Sequence, residues 1–276
     1  MNLYQNIDLR FNLEGIEKFP PILYKFRDWD NIYHRNVLIK QKLFISSIEL
    51  LNDPFDGTII VNHKLKPVSK VEIHKLLGLN DNMPIPLENV IQKVSADFEL
   101  EMNRNLNYAI RKTGILSLTS SKENILLWSH YANGHTGYAI GFDSEKLAKV
   151  IGELRLQSFI KEVFYTETYP EITFEFDLLK NKDEMLLLKA VIYSLTSKSD
   201  LWSYEDEYRI LTFAKNNLEF FFPKECVKEI ILGFRMDEKN KKEIVDISRK
   251  LYPAAKILMC QKEPQKYAVS FKEITE

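Results

Sequence analysis

Tyr208-Arg209-Ile210-Leu211-Thr212-Phe213 and, four residues later, Leu218-Glu219-Phe220-Phe221-Phe222 are two short β-like runs with no helix between them. Where strands joined so closely pair with each other they pair antiparallel, because a parallel pair needs a crossover of a dozen residues or more. The same texture extends outward, with strand-like runs at 22–26, 43–46, 115–119, 136–142, 159–165, 230–232, 256–260 and 267–271. Helical patterns interleave at about 28–39, 124–131, 145–151, 183–196 and 237–251. Several strands follow one another directly, so the pattern predicts an α+β fold of mixed, mostly antiparallel sheets with flanking helices, not a doubly wound sheet. Pro84 and Pro86 open the longest helical pattern, 87–112, in which Val90, Ile91, Val94, Phe98 and Met102 recur at three- and four-residue steps. It reads as a helical insertion, at about 69–112, in one domain spanning 1–276.

The chain has 276 residues, 45% of them hydrophobic, enough for a sizeable core without staples. Its 38 Lys and Arg balance 39 Asp and Glu, so bulk electrostatic binding of nucleic acid is not indicated. Cys226 and Cys260 stand alone, which excludes a disulfide framework or a cysteine zinc site. No signal-peptide core precedes Glu14 and no 18-residue apolar run occurs, so the expected setting is cytoplasmic, with no membrane partner. Walker, dinucleotide-fingerprint, nucleophile-elbow and H-E-x-x-H motifs are all missing.

Chemistry concentrates in four places. In Trp202-Ser203-Tyr204-Glu205-Asp206-Glu207-Tyr208-Arg209, three acids at a strand mouth are expected to repel one another and raise at least one pKa. The alternative is a solvated turn with Arg209 pairing one of them. Ser120 and Glu123 read as a capping box, whereas Ser117 and Thr119 share one strand face and remain free for a ligand or a backbone group. Around Leu127-Trp128-Ser129-His130-Tyr131, the spacing of His130 and His135 does not suit a helical zinc pair, and Ala139 and Gly141 leave one strand face bare. Asn52-Asp53-Pro54-Phe55-Asp56-Gly57 is a turn whose two Asp could join Glu205 and Glu207 around a divalent metal if they met in space.

Taken with Tyr24-Lys25-Phe26-Arg27, these blocks resemble, in order, the bacterial family called domain of unknown function 2971. More distantly they resemble ADP-ribosyltransferases of the Arg-Ser-Glu type: Arg27 on a first strand, Ser117 and Thr119 on a second, and Glu205-Asp206-Glu207 leading into an apolar strand. That resemblance implies an enzyme using NAD as substrate, in a toxin or phage-defence effector, with an unidentified acceptor macromolecule. It implies Glu207 as the catalytic carboxylate, Glu205 orienting the acceptor and Arg27 on the pyrophosphate. Ser117 and Thr119 would support the ribose, with Tyr131, Trp202 and Tyr204 as an aromatic wall and His130 beside them; no protein-bound metal is implied. Such a site requires Arg27, Ser117 and Glu207 to converge on one cleft, and Arg27 and Glu207 on opposite faces of the sheet would rule it out. The rivals are a metal-dependent nuclease or hydrolase using Asp53, Asp56, Glu205 and Glu207, and a non-catalytic nucleotide- or peptide-binding module.

Overall fold

The computed structural model describes residues 19–78, 80, 86–154, 158–176 and 184–275. The N-terminal segment, Pro84 and Asp183 lie outside them. In chain order the elements are β1 (Ile22–Arg27), α1 (Ile32–Ile39), β2 (Lys42–Ile45), β3 (Ile60–Leu65), α2 (Lys70–Leu77), α3 (Leu87–Lys112), β4 (Gly114–Thr119), α4 (Ile125–Tyr131), β5 (Tyr138–Asp143), α5 (Ser144–Glu153) and β6 (Ser158–Glu162). There follow β7 (Phe164–Thr166), β8 (Glu171–Phe176), α6 (Glu184–Leu195), β9 (Ser197–Ser199), β10 (Glu207–Thr212), β11 (Leu218–Phe221), β12 (Val227–Leu232), α7 (Glu238–Leu251), β13 (Lys256–Lys262) and β14 (Val269–Glu273). The fold is α+β, with a main sheet in the order β14-β13-β12-β5-β1-β4-β10-β6. Its pairs are antiparallel except β12 with β13.

One face of this sheet, carrying Leu23, Leu116, Leu118, Tyr138, Ile140 and Ile210, packs on α1, α5 and α7. On the other face, Tyr24, Phe26 and Ala139 meet Leu127 and Trp128 of α4, while Ile115 and Leu211 meet α3 and α6. Alternation along each strand sets this division, so Ser117 and Thr119 do share a face, and Leu116 and Leu118 take the other.

Several local expectations need correction. The cap of α1 is Asn31, whose side chain accepts from Tyr33 N, and not Asp28. Asn124, and not a Ser120/Glu123 box, caps α4; the Ser120 N–H that the box would use is already taken by the Asp206 carbonyl at 3.2 Å. The strand face at Gly141 is not open: an added Cβ there would lie 2.8 Å from the Tyr24 ring, which fills the space a ligand would need. The run at 159–165 divides into β6 and β7, and the parallel pair β3–β8 carries no signal strong enough to predict.

Between β1 and β4 the sheet opens. The two strands share one bridge, Tyr24 with Thr119, and four residues back along β4 it is Ser46, just past β2, that pairs with Ile115. Lys25 Nζ donates to the Ser117 carbonyl in the interval, where a continuous ladder would have placed a backbone N–H. A cavity of about 670 Å³ lies at this opening.

Candidate functional site

The chain enters β10 through Asp206, whose backbone is left-handed at φ 43°. This turn leaves Asp206 exposed and buries Glu205 and Glu207 on either side of it. Both border the cavity. Glu205 is held from three directions: Thr119 Oγ1 donates to its carbonyl at 2.6 Å, Tyr131 Oη to Oε1 at 2.6 Å, and Lys198 Nζ to Oε2 at 2.6 Å. Asn52 Nδ2 donates in turn to the Tyr131 hydroxyl at 2.9 Å. Glu207 accepts a fork from Arg209, Nε to Oε1 and Nη2 to Oε2, each at 2.9 Å. Arg209 is 1% exposed, and its remaining donors reach Asp56 Oδ1 at 2.8 Å and the Leu195 carbonyl at 2.9 Å. The pairing of Arg209 with an acid is therefore real, but it is buried and not a solvated turn.

Repulsion between the acids does not set the Glu207 and Asp206 shifts. Burial pushes the Glu207 carboxyl up, but the Arg209 guanidinium and the Lys198 ammonium outweigh it and hold the group below the usual range. Asp56 goes the other way: burial raises it, and Arg209 and Lys198 offset that only in part. Asp206 is also raised, by burial and not by its neighbours. Burial, and then the hydrogen bond to Glu205, raise Tyr131.

Lys25 and Arg27 border the same cavity from the end of β1. Among the described residues neither makes an ion pair with a carboxylate. Arg27 Nη1 reaches only the Phe26 carbonyl at 3.4 Å, and its buried Nε has no acceptor. Burial and the adjacent Arg27 lower the Lys25 ammonium to about 7, and burial lowers Arg27 to about 10. His34 of α1, also on the cavity wall, is lowered to about 4 by burial and by Arg27, and its Nδ1 accepts from Asp28 N. Strand alternation sets Arg27, opposite Tyr138, on one sheet face, and Glu207, opposite Thr119, on the other. This is the opposite-face arrangement expected to rule out a shared transferase site, and a closed sheet would separate the two residues. They border one cavity because β1 and β4 part between them.

Of the residues singled out in the sequence, Arg27, Ser117, Thr119, Tyr131, Glu205 and Glu207 line the cavity, and Ser117 also hydrogen-bonds to Glu207. His130, Trp202 and Tyr204 do not. Their rings instead follow one another along the outside of α4 and the turn after β9, with centroids 6.0 Å apart for Trp202 and Tyr204 and 6.3 Å for Tyr204 and His130. The aromatic members of the wall are Tyr131 with Tyr24, Phe26, Tyr33 and Phe44. Asp53 is turned into its own loop, accepting from Phe55 N, and Asp56 is bound to Arg209. Among the described residues no group of three or more His, Cys, Asp or Glu is placed to hold a metal ion. Sequence reasoning missed Lys25, His34 and Lys198; for Lys25 a cation inside an otherwise apolar strand, Leu23 to Phe26, was the available signal.

Residues 127–210 match a family model described as protein of unknown function, DUF2971. The matched stretch runs from α4 into β10. It contains Tyr131, Lys198, Glu205, Glu207 and Arg209, and leaves out Arg27, Ser117 and Thr119. No curated protein and no solved structure matches the chain. Among the described residues no helix is long and apolar enough to cross a membrane.

Proposed function

We propose that the cleft binds NAD and cleaves its nicotinamide–ribose bond, passing the ADP-ribosyl group to an acceptor as ADP-ribosyltransferases do. The observation that supports this best is the unequal pairing of charge around one cavity. At one end Asp56, Glu205 and Glu207 face Lys198 and Arg209, one negative charge in excess. Elsewhere on its wall Lys25 and Arg27 have no ion-pair partner among the described residues, although Lys25, bonded to the Ser117 carbonyl, still feels the Glu207 and Glu205 carboxylates. NAD is positive on its nicotinamide ring and negative on its pyrophosphate, so one orientation satisfies both ends. As the bond breaks, its electron pair leaves with nicotinamide and positive charge develops on the ribose. Glu207, ionised and held still by Arg209, is a fixed negative charge against that state. The acceptor then bonds to the ribose C1′ and gives up a proton, which on this reading passes to the Glu205 carboxylate. Loss of NAD is damaging to a cell, which is the use a toxin or phage-defence effector makes of such chemistry.

A second reading, a non-catalytic nucleotide-binding module, draws on one further observation: both carboxylate oxygens of Glu205 and of Glu207 already accept bonds from protein donors. One assay separates the two. Purified protein is incubated with labelled NAD and with protein and nucleic-acid acceptors, and nicotinamide release is followed. The transferase reading expects release by the wild type and a loss of about 100-fold or more in Glu207→Gln. ADP-ribose binding without release identifies the module, and neither binding nor release removes both.

A further inference from the structure

We propose that Lys198 is a positioning residue of this cleft, holding the Glu205 and Glu207 carboxylates side by side and acting on the reaction only through them. The inference rests on the reading of the cleft as a site of NAD cleavage. Lys198 is 5% exposed and stands in β9, opposite Tyr165 of β7. The Tyr165 hydroxyl accepts from Glu207 N at 2.9 Å, so this short ladder fixes the backbone of Glu207 as well as its electrostatic surroundings. Lys198 Nζ lies 2.6 Å from Glu205 Oε2 and 3.8 Å from Glu207 Oε2. On another side it sits 4.4 Å from the centre of the Trp202 ring, an attractive contact for a desolvated cation. Trp202, expected to wall the ligand, seats this lysine instead.

The division of labour between the two buried cations gives the argument its force. Arg209 spends its donors on Glu207, Asp56 and the Leu195 carbonyl, so among the described residues the cation bonded to Glu205 is Lys198. Two neighbouring carboxylates in a buried site cannot both stay ionised without cations between them. Without Lys198, Glu207 loses part of the field that keeps it ionised. Glu205 loses one of the two donors that fix its direction, and the Tyr131 hydroxyl bonded to it loses its alignment.

The test compares Lys198→Met and Lys198→Arg in the full chain, reading kcat and KM for nicotinamide release against pH. Lys198→Met is expected to lower kcat about 100-fold while KM for NAD changes little, because the cationic end of the cavity is untouched. The acid limb of its pH profile is expected to move up by about one unit, and Lys198→Arg to recover much of both effects. A fall in kcat with an unshifted profile and no recovery by Arg marks a merely structural lysine and overturns the proposal, as does an unchanged kcat. A Lys198→Met chain that does not fold is paired with Glu205→Gln/Lys198→Met, which removes both halves of the ion pair. Refolding of the double variant supports the coupling, and failure of both overturns it. Should the wild type release no nicotinamide, the NAD reading falls and Lys198 is judged separately, by a carbon-13 titration of the Glu207 carboxyl. An upward shift in Lys198→Met keeps the positioning role, and an unmoved midpoint removes it.

Discussion

At one end of the cavity Asp56, Glu205 and Glu207 each lie within hydrogen-bond distance of Arg209 or Lys198; at the other, Lys25 has a backbone carbonyl for a partner and Arg27 Nε has none. The first end buries its charges and the second half-buries them, so both bear a cost of taking ions out of water. The first end recovers it inside the protein, because its acids and bases come from four segments, the 52–57 turn, β9, the turn after it and β10, folded against one another. The second end recovers little. On the proposed reading, the component that would complete the arrangement at this end is an anion.

The largest expected effect breaks that contrast if it fails. Arg209→Met removes the partner of two buried carboxylates and is expected to cost about 3–5 kcal/mol in urea unfolding. Arg27→Met removes a cation that has no carboxylate partner, and the unliganded protein is expected to be as stable as wild type or more so. Equal losses in the two variants would mean that the ends are not wired differently.

Ligand binding gives the next largest effect. Inorganic pyrophosphate is expected to raise the melting temperature of the wild type by binding the folded state. Arg27→Met is expected to weaken that binding about tenfold or more, since charge-assisted bonds to phosphate are among the strong ones. Isothermal titration measures both. Binding that survives in Arg27→Met but disappears in a variant of the acid end would place the anion at the wrong end.

How much of this was legible in the sequence depended on the range of the interaction. α3 was readable to the residue, because its apolar stripe and the flanking Pro86 and Gly114 act within the segment itself. That Ser117 and Glu207 border one cavity follows from alternation, which puts Ser117 and Thr119 on one face of β4 with Glu207 opposite Thr119 across the ladder. Two capping assignments failed where the candidate was already engaged elsewhere: Asp28 accepts from Asp30 N and Asn31 caps α1, while Ser120 N is held by the Asp206 carbonyl and Asn124 caps α4. Lys198 was not legible at all. It sits in Leu195-Thr196-Ser197-Lys198-Ser199, which reads as an ordinary polar connection, and only the packing of β9 on the turn after it brings the ammonium to Glu205. The misplacing of Trp202 has the same origin, since an aromatic beside carboxylates looks the same from sequence whether it faces a ligand or a lysine.

The effect that is smallest per unit of pH, about 1.4 kcal/mol at most for each group, separates the two ends. Lys25 titrates at about 7 in the folded chain against an ordinary 10.5, so between those values the unfolded chain holds a proton that the folded one does not. Stability contributed by this group therefore rises as pH climbs from about 7 toward 10.5, and is flat below 7, where both states are charged. Glu207 behaves in the opposite sense: its folded value lies below an ordinary 4.5, so its contribution is complete above 4.5 and is lost as pH falls through the folded value. Urea unfolding across pH, with Lys25→Met as the reference, isolates the first slope, and Glu207→Gln the second. Saturating pyrophosphate should flatten the Lys25 slope, because an anion beside the ammonium restores its charge, and should leave the acid limb of Glu207 where it was. A pyrophosphate effect confined to the acid limb would instead mean that the anion neighbours Glu207, and the assignment of the two ends would have to be exchanged.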